Sequence, residues 1–475
     1  MTPQNSQLPS TAEEKEIVRE LVRKAREAMK IYKNYTQEQV DEVVQAVAWA
    51  IMKPERAEEL ARVAVRDTGL GKVEDKVNKN RRKTLGTLRD LMQVKTVGVI
   101  REDPEKGIVE IAKPVGVVAA VVPSTNPAAT PANKAMMALK GRNAIIFSPS
   151  PKGATTMKLL LRYIHEELAK VGAPLDLVQM LPYVNKGLTH ELMQQADLVT
   201  VTGSANNVRA GQTSGKPNLC VSAGNVVSIV DASANIKEAA RKIKLSKTYD
   251  YATSCSSDNS VVIEAAVYDQ MLEAFKQEGG YLCTPEEKER LKAALWKEGK
   301  RRSETTCKPP HVIAQAAQLT HPDALNASFF MVEETEINPD NPFTREKLAV
   351  VLTVFKADNF DHAIDITQQI LEIQGKGHSC GLHSTNKEHI DRIGHEIDVC
   401  RLLINQVQCF GNGGNFNNGL NFTLSMGGGT WAGNNIGENL SYKHFINITK
   451  VSHVIPEVIP DEEELLGSYF AKYGR

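Results

Sequence analysis

The sequence predicts an α/β fold in which a doubly wound parallel sheet is followed by a second α/β block, with a small β arm between helices and sheet. Three observations carry this reading. From Val115 onward, short continuous apolar runs alternate with helical patterns, as in strand–helix–strand units whose sheet is covered on both faces. A second mixed block follows Asp231. Before both, a β-branched segment with turn residues at its centre interrupts the helical rhythm.

Each element follows in order. The first ~90 residues read as helices. Ser10-x-x-Glu13 and Thr36-x-x-Gln39 have the form of capping boxes. Ile17, Val18, Leu21, Val22, Ala25 and Met29 then share one helical face, and Val40, Val43, Val44, Val47 and Ile51 share another. Thr96 to Lys113 reads as a hairpin with Asp103, Pro104 and Gly107 in its turn. Its arms carry few large apolar residues, so it is expected on the surface or paired with another subunit. The parallel sheet is expected from "VGVVAAVV" (115–122), "AIIF" (144–147), "LVQML" (177–181), "LVTVTG" (198–203) and "VVSIV" (226–230). Helices are expected near Pro131–Leu139 and Lys152–Val171. The second block shows "SVVIE" (260–264), "LAVVLTVF" (348–355) and "RLLIN" (401–405). Residues 409–439 are rich in Gly and Asn but punctuated by Phe410, Phe416, Phe422, Leu424, Met426 and Trp431, which predicts a packed loop.

Composition narrows the function. The chain has 475 residues, with Lys plus Arg and Asp plus Glu balanced at 57 each. That balance argues against nucleic acid or an anionic membrane as the main partner. No apolar run approaches the ~20 residues that span a bilayer, and the N-terminus shows no secretory signal, so a cytoplasmic protein is expected. Seven cysteines, with no C-x-x-C, speak against a disulfide framework and a Cys-rich zinc site, and no metal is expected.

The common nucleotide fingerprints are missing: no G-x-G-x-x-G follows a strand, and "GQTSGKP" (211–217) is one residue short of a P-loop. "VTVTGSANNV" (199–208) instead places Gly203-Ser204 between a strand and a helix, where free backbone N–H groups can meet phosphate. Cys255 stands among Ser254, Ser256 and Ser257 in a polar loop before a strand, a setting suited to a reactive thiol rather than a core residue.

Together these stretches resemble the aldehyde dehydrogenase superfamily, and in detail its CoA-acylating branch. The resemblance rests on residues 113–153, "VTGSANNVRAG", "SKTYDYATSCSSDNSVVIE", "REKLAVVLTV" (345–354), "GKGHSCGLHS" (375–384) and residues 424–451, and runs from about residue 10 to 455. It implies a Rossmann-type cofactor-binding domain (1–95 and 113–230), a catalytic domain (231–440) and an oligomerisation arm (96–112 and 441–455), with a homodimer or homotetramer as the assembly. It implies Cys255 as nucleophile and Asn126 as amide donor to the oxyanion. It implies a cofactor site at Pro123, Ser124, Thr125, Ser148, Ser150, Lys152, Gly203, Ser204, Glu346 and His378, with Gly203 and Ser204 under the pyrophosphate and Glu346 on the nicotinamide ribose.

Two departures from the hydrolytic branch inform the chemistry. That branch carries a general base in "ELGGK"; here the stretch is "VSAGN" (221–225), with Val221 in the glutamate's place. Valine takes no proton from water. The expected acceptor of the acyl group is therefore a thiol, coenzyme A, and the expected reaction converts aldehyde, CoA and NAD(P)⁺ to acyl-CoA and NAD(P)H. Where hydrolytic members carry "KPSE", Ser148 to Pro151 read "SPSP" and Lys152 follows, which favours NADP⁺ over NAD⁺. The hydroxyls and amides near Cys255 suit an anionic or hydroxylated aldehyde. The resemblance implies sulfoacetaldehyde as the substrate, with Thr253, Ser254, Ser256, Arg401, Asn405 and Gln406 as its candidate contacts. Acetaldehyde or propionaldehyde, a hydrolytic enzyme whose base lies elsewhere, and a non-catalytic binding subunit are the alternatives.

Overall fold

The computed structural model describes residues 10–221 and 223–475. The start of the expected cofactor-binding domain (residues 1–9) and Ser222 within "VSAGN" lie outside them. Four helices come first: Ala12–Tyr32, Gln37–Met52, Pro54–Thr68 and Val73–Met92. The expected box at Thr36 and Gln39 is present. The first box sits one residue later than expected: Thr11 caps Glu14 N, and the Glu14 carboxylate accepts from Thr11 N at 2.8 Å. That register faces Val18, Val22 and Ala25 into the core.

The strands fall into three main sheets. The hairpin strands β1 (Gly98–Asp103) and β2 (Ile108–Pro114) precede β3 (Val117–Val122), β4 (Ala144–Pro149), β5 (Val178–Met180), β6 (Leu198–Thr202) and β7 (Asn218–Val221). These last five form an all-parallel sheet in the order β5-β4-β3-β6-β7. Its strands pack, with the N-terminal helices, into one apolar core. Next come β8 (Val226–Val230), β9 (Asp258–Glu264), β10 (Gly280–Leu282), a short ribbon of β11 (Trp296–Lys297) and β12 (Lys300–Arg301), then β13 (Phe329–Glu333), β14 (Val351–Ala357), β15 (Cys380–His383) and β16 (Leu402–Ile404). Apart from the ribbon they form a second parallel sheet, β10-β13-β14-β9-β8-β15-β16. Strand pleating sends Val261 and Ile263 into one of its cores and Val262 into the other. The strand "VVSIV", expected in the first sheet, is β8 of the second, so by sheet membership the first unit ends at Val221 rather than near 230.

Strand β17 (Ile446–Ser452) joins the hairpin antiparallel to β2, giving the three-stranded arm. Ile448 and Val451 are exposed on it, and beyond it the helix Glu462–Tyr473 buries none of its residues. The Gly/Asn-rich loop is packed as expected. Phe422 is buried against Gly86, where a Cβ would lie 2.1 Å from its ring. Lys83 donates to the carbonyls of Gly413 and Gly414.

Among the described residues no helix is long and apolar enough to cross a membrane, and no cluster of His, Cys, Asp or Glu is placed to hold a metal.

Candidate active site

The two parallel sheets meet with opposite polarity. Asn126, Lys152 and Ser204 follow the carboxyl ends of β3, β4 and β6; Cys255, Glu346, His378 and Arg401 precede the amino ends of β9, β14, β15 and β16. A groove of about 1290 Å³ is lined by Lys152, Ser204, Arg301, Arg345, Glu346 and Gln374 among others; Asn126, Cys255, His378 and Arg401 are not in its lining. Three of the expected cofactor residues, Lys152, Ser204 and Glu346, are thus brought to one groove from three separate segments.

Their local settings differ. Ser204 caps the helix Ala205–Gln212 by accepting from Asn207 N, and a Cβ at Gly203 would meet nothing closer than 3.8 Å. Pro123, Ser124 and Thr125 form the turn after β3, and the Thr125 carbonyl accepts from Lys76 at 2.9 Å. Ser150 caps the short turn that carries Lys152. Ser148, expected at the cofactor, is buried on β4 with its hydroxyl paired to Thr189 at 2.7 Å and does not line the groove. Glu346 is buried, with Arg301 Nη1 3.3 Å from its carboxylate; burial pushes its pKa up to about 7, opposed by Arg301 and Lys247. Lysine, arginine and a helix N-terminus on one groove suit a phosphorylated dinucleotide.

Cys255 hangs from a strained turn. Asp250, Tyr251 and Ala252 have φ of 50°, 49° and 60° in succession. Left-handed backbone costs a non-glycine residue roughly 1–2 kcal/mol. The turn is held by Asp250, whose N–H donates to Asp75 at 2.8 Å. Its buried carboxylate accepts from Lys72 N (2.8 Å), Lys76 (3.0 Å), Lys79 (2.6 Å) and Thr253 Oγ1 (2.6 Å). Burial works to raise the Asp250 pKa, but Lys79 and Lys76 outweigh it and hold the carboxylate ionised. Lys79 also reaches Asn126 Oδ1 at 2.8 Å, so one ammonium ties the cysteine loop to the asparagine turn.

Around the thiol, Ser254 and Ser256 share a 2.8 Å hydrogen bond. A Cβ at Gly224 would lie 2.1 Å from the Cys255 carbonyl and 3.1 Å from His378 Cε1, so only glycine lets these segments approach. His378 is buried, pairs through Nδ1 with Ser379, and keeps Nε2 without a partner; burial lowers its pKa to about 3, so it is neutral. Burial, then Glu346, raises the Cys255 pKa to about 12. Val221, in the place of the hydrolytic base, is a buried apolar residue at the end of β7.

The expected substrate contacts separate into two groups. Ser254 and Ser256 line a small cavity with Asn126, and Thr253 braces the turn beside it. Arg401 is buried and donates to the carbonyls of His378 (2.6 Å) and Gly427 (2.7 Å). Asn405 spends its amide on the backbone of Ser384, and Gln406 accepts from Asn418. Neither Asn405 nor Gln406 lines that cavity. Sequence reasoning missed Lys79, Asp250 and Arg301; the lysine spacing along one helix was the available signal for the first.

Fold and site together define a nicotinamide-dependent dehydrogenase. Residues 5–289 match the model of the aldehyde dehydrogenase family, and the chain belongs to that family. Among its relatives, it is 51% identical to the sulfoacetaldehyde dehydrogenase (acylating) of Cupriavidus necator, over 97% of this chain and 94% of that one. It is 37% identical to the succinate-semialdehyde dehydrogenase (acetylating) of Clostridium kluyveri, over 95% and 99%. In fold it matches the crystal structure of an acetylating aldehyde dehydrogenase from Geobacillus thermoglucosidasius with a TM-score of 0.90 and 33% identity, covering 94% of this chain and 99% of that one.

Proposed function

We propose that this enzyme oxidises sulfoacetaldehyde to its CoA thioester, with NADP⁺ as hydride acceptor. The Cys255 thiol, protonated at rest, gives its proton to solvent and attacks the aldehyde carbon as the thiolate, forming a C–S bond and an oxyanion; Asn126 Nδ2 and the Cys255 N–H donate to that oxygen. Lys152, Ser204 and Glu346 would hold the nicotinamide cofactor, which when bound would supply the two-electron oxidation as a hydride acceptor. Cys255 is then acylated. The CoA thiolate attacks the thioester, and Cys255 leaves as the thiolate. His378, neutral and with Nε2 free, is assigned to the CoA thiol. The single observation behind the acylating reading is that Val221, buried and apolar, stands where the hydrolytic branch carries its base; among the described residues the cavity against Ser254 and Ser256 is lined by no carboxylate, and Glu346, the carboxyl that acts on the Cys255 thiol, is assigned to the cofactor ribose.

The relatives named for sulfoacetaldehyde and succinate semialdehyde support an anionic aldehyde, since both carry a negative head. Pro151 and Lys152 support NADP⁺. The exposed three-stranded arm supports a homo-oligomer, and seven unpaired thiols suit the reducing cytoplasm. The deciding experiment follows reduced-cofactor absorbance with sulfoacetaldehyde and NADP⁺, with and without CoA. Strict dependence on CoA is expected; steady turnover without it would overturn the proposal in favour of hydrolysis.

A further inference from the structure

This inference rests on the proposed function and names how its substrate is selected. The helix Val73–Met92 buries a row of cations. Lys76, Lys79 and Lys83 are each buried, and Arg82 is half-buried beside them. Buried lysines are rare because an ammonium loses its hydration. Two of these are explained by Asp250, which meets Lys76 and Lys79. The others are not: among the described residues neither Arg82 nor Lys83 has a carboxylate partner. Lys83 donates to three backbone carbonyls, at Phe410, Gly413 and Gly414. Arg82 donates through Nη2 to Asn415 Oδ1. Its guanidinium is flanked by the rings of Phe410 and Phe416, with centroids at 5.8 Å and 4.9 Å.

Lys79, Arg82 and Lys83 converge on one cavity of about 30 Å³, lined also by Asn126, Tyr249, Ser254, Ser256 and Cys409, with Phe410, Leu424 and Met426 as its apolar part. Ser254 and Ser256 flank Cys255 in the chain, which puts the cavity against the loop that carries the thiol, although Cys255 itself does not line it. Its volume suits two or three water-sized groups, at roughly 10–15 Å³ each, which is the size of a small oxyanion head and not of a long chain. The chemistry matches as well. The planar Arg82 fork pairs with two oxygens of a sulfonate or carboxylate. Of the two serine hydroxyls in their mutual 2.8 Å bond, one keeps its proton free to donate. Burial has pulled the Lys83 pKa down to about 7, the mark of a cation lacking a counter-ion.

We infer that this cavity is the anion subsite of the enzyme: Arg82, with Ser254 and Ser256, binds the negatively charged head of a short aldehyde whose carbonyl sits at Cys255. Arg401 is the rival cation. Its Nε and Nη1 are buried without partners and its charge reaches Cys255, but its Nη2 is held by the carbonyls of His378 and Gly427 and it does not line this cavity.

The test compares kcat/KM for sulfoacetaldehyde and for propionaldehyde, an uncharged aldehyde of similar length, in the parent, Arg82→Gln, Arg82→Lys and Arg401→Gln, all with CoA and NADP⁺. In Arg82→Gln the ratio of the two values is expected to fall roughly 10- to 100-fold, the loss of a charge-assisted pair. Arg82→Lys keeps the charge without the fork and is expected to retain an intermediate ratio. A ratio unchanged in Arg82→Gln, or one that collapses only in Arg401→Gln, overturns the subsite while leaving the proposed reaction standing. Ethanesulfonate, as an inhibitor competing with propionaldehyde, tests the cavity apart from turnover of the anionic substrate. Inhibition of the parent that weakens at least tenfold in Arg82→Gln supports the subsite even if sulfoacetaldehyde proves not to be the preferred substrate. No inhibition of the parent overturns it, and this arm decides the matter if Arg82→Gln fails to fold.

Discussion

Lys79 Nζ sits 2.8 Å from Asn126 Oδ1 and thereby decides which end of that amide is free. A lysine only donates, so Asn126 must turn its carbonyl oxygen toward Nζ and is left with Nδ2 for the reacting oxygen. The same ammonium lies 2.6 Å from Asp250, which holds the strained turn before Cys255. One buried cation therefore orients the proposed oxyanion donor and anchors the loop of the proposed nucleophile.

Asn126→Ala is expected to lower kcat about 10²–10³-fold, the usual loss of an oxyanion donor. Lys79→Met is expected to lose about 10–100-fold, with KM for NADP⁺ within about threefold of the parent. Because both changes act on one donor, the double variant should be little worse than Asn126→Ala alone. Steady-state kinetics on the three variants, with melting temperatures as a check on folding, decide this. Fully additive losses would separate the lysine from the amide.

With aldehyde and NADP⁺ but no CoA, the acyl group is expected to remain on Cys255. Peptide mass spectrometry should find the adduct on the peptide that contains Cys255 and not on the one that contains Cys409, whose thiol burial also raises to about 12. Cys255→Ala should show neither adduct nor turnover. An adduct on Cys409 would reassign the nucleophile.

The resting thiol is protonated at neutral pH, since burial and Glu346 raise its pKa to about 12. Only the thiolate is alkylated. Inactivation by iodoacetamide is therefore expected to accelerate about tenfold per pH unit from pH ~7 to ~9, with no plateau. Glu346→Gln removes the negative charge that opposes the thiolate and should speed alkylation several-fold at a given pH. A plateau near neutral pH would show a thiol activated before any ligand binds.

Glu346 carries a second signature. Its folded pKa of about 7 lies above the ordinary carboxylate value because the group is buried. A carboxyl that holds its proton more tightly when folded contributes stability that is present below the unfolded pKa and lost as pH rises through the folded one. Glu346→Gln does not titrate, so it should gain on the parent between pH ~5 and ~8, by roughly 1–3 kcal/mol at the upper end. Thermal melts across this range measure the difference. A gap independent of pH would contradict the shifted carboxyl.

Lys152 is the groove lysine that follows Pro151. Lys152→Glu places a carboxylate where a 2′-phosphate would bind. Its ratio of kcat/KM for NADP⁺ to that for NAD⁺ is expected to fall at least about tenfold. An unchanged ratio would move the phosphate elsewhere in the groove.

Local signals carried much of this protein. The helices, the hairpin and the alternation of strands were legible because hydrophobic period and turn residues are short-range. The assignment of "VVSIV" was not: a buried parallel strand reads the same in either sheet, and β8 was placed only by its pairing with β9 and β15. Strands β13 and β15 escaped notice for the same reason, being short apolar runs between helices. Ser148 sits in a resembling motif, yet its hydroxyl faces Thr189.

The sequence by itself determined the family, the positions of Cys255, Asn126 and Glu346 within recognisable motifs, and the valine that replaces a water-activating acid. Only the tertiary structure decided what surrounds them. "KVNKNRRK" (76–83) is a cation-rich stretch within the expected N-terminal helices, and helical periodicity alone gives it no buried partner. Folding brings it against Asp250, 174 positions from Lys76. Burial then turns surface-like lysines into the cations that orient the amide, brace the strained turn and line the cavity against Ser254 and Ser256. The physical reason is that desolvation and charge pairing depend on which groups share a space, and contacts across such distances leave no periodic mark in the chain.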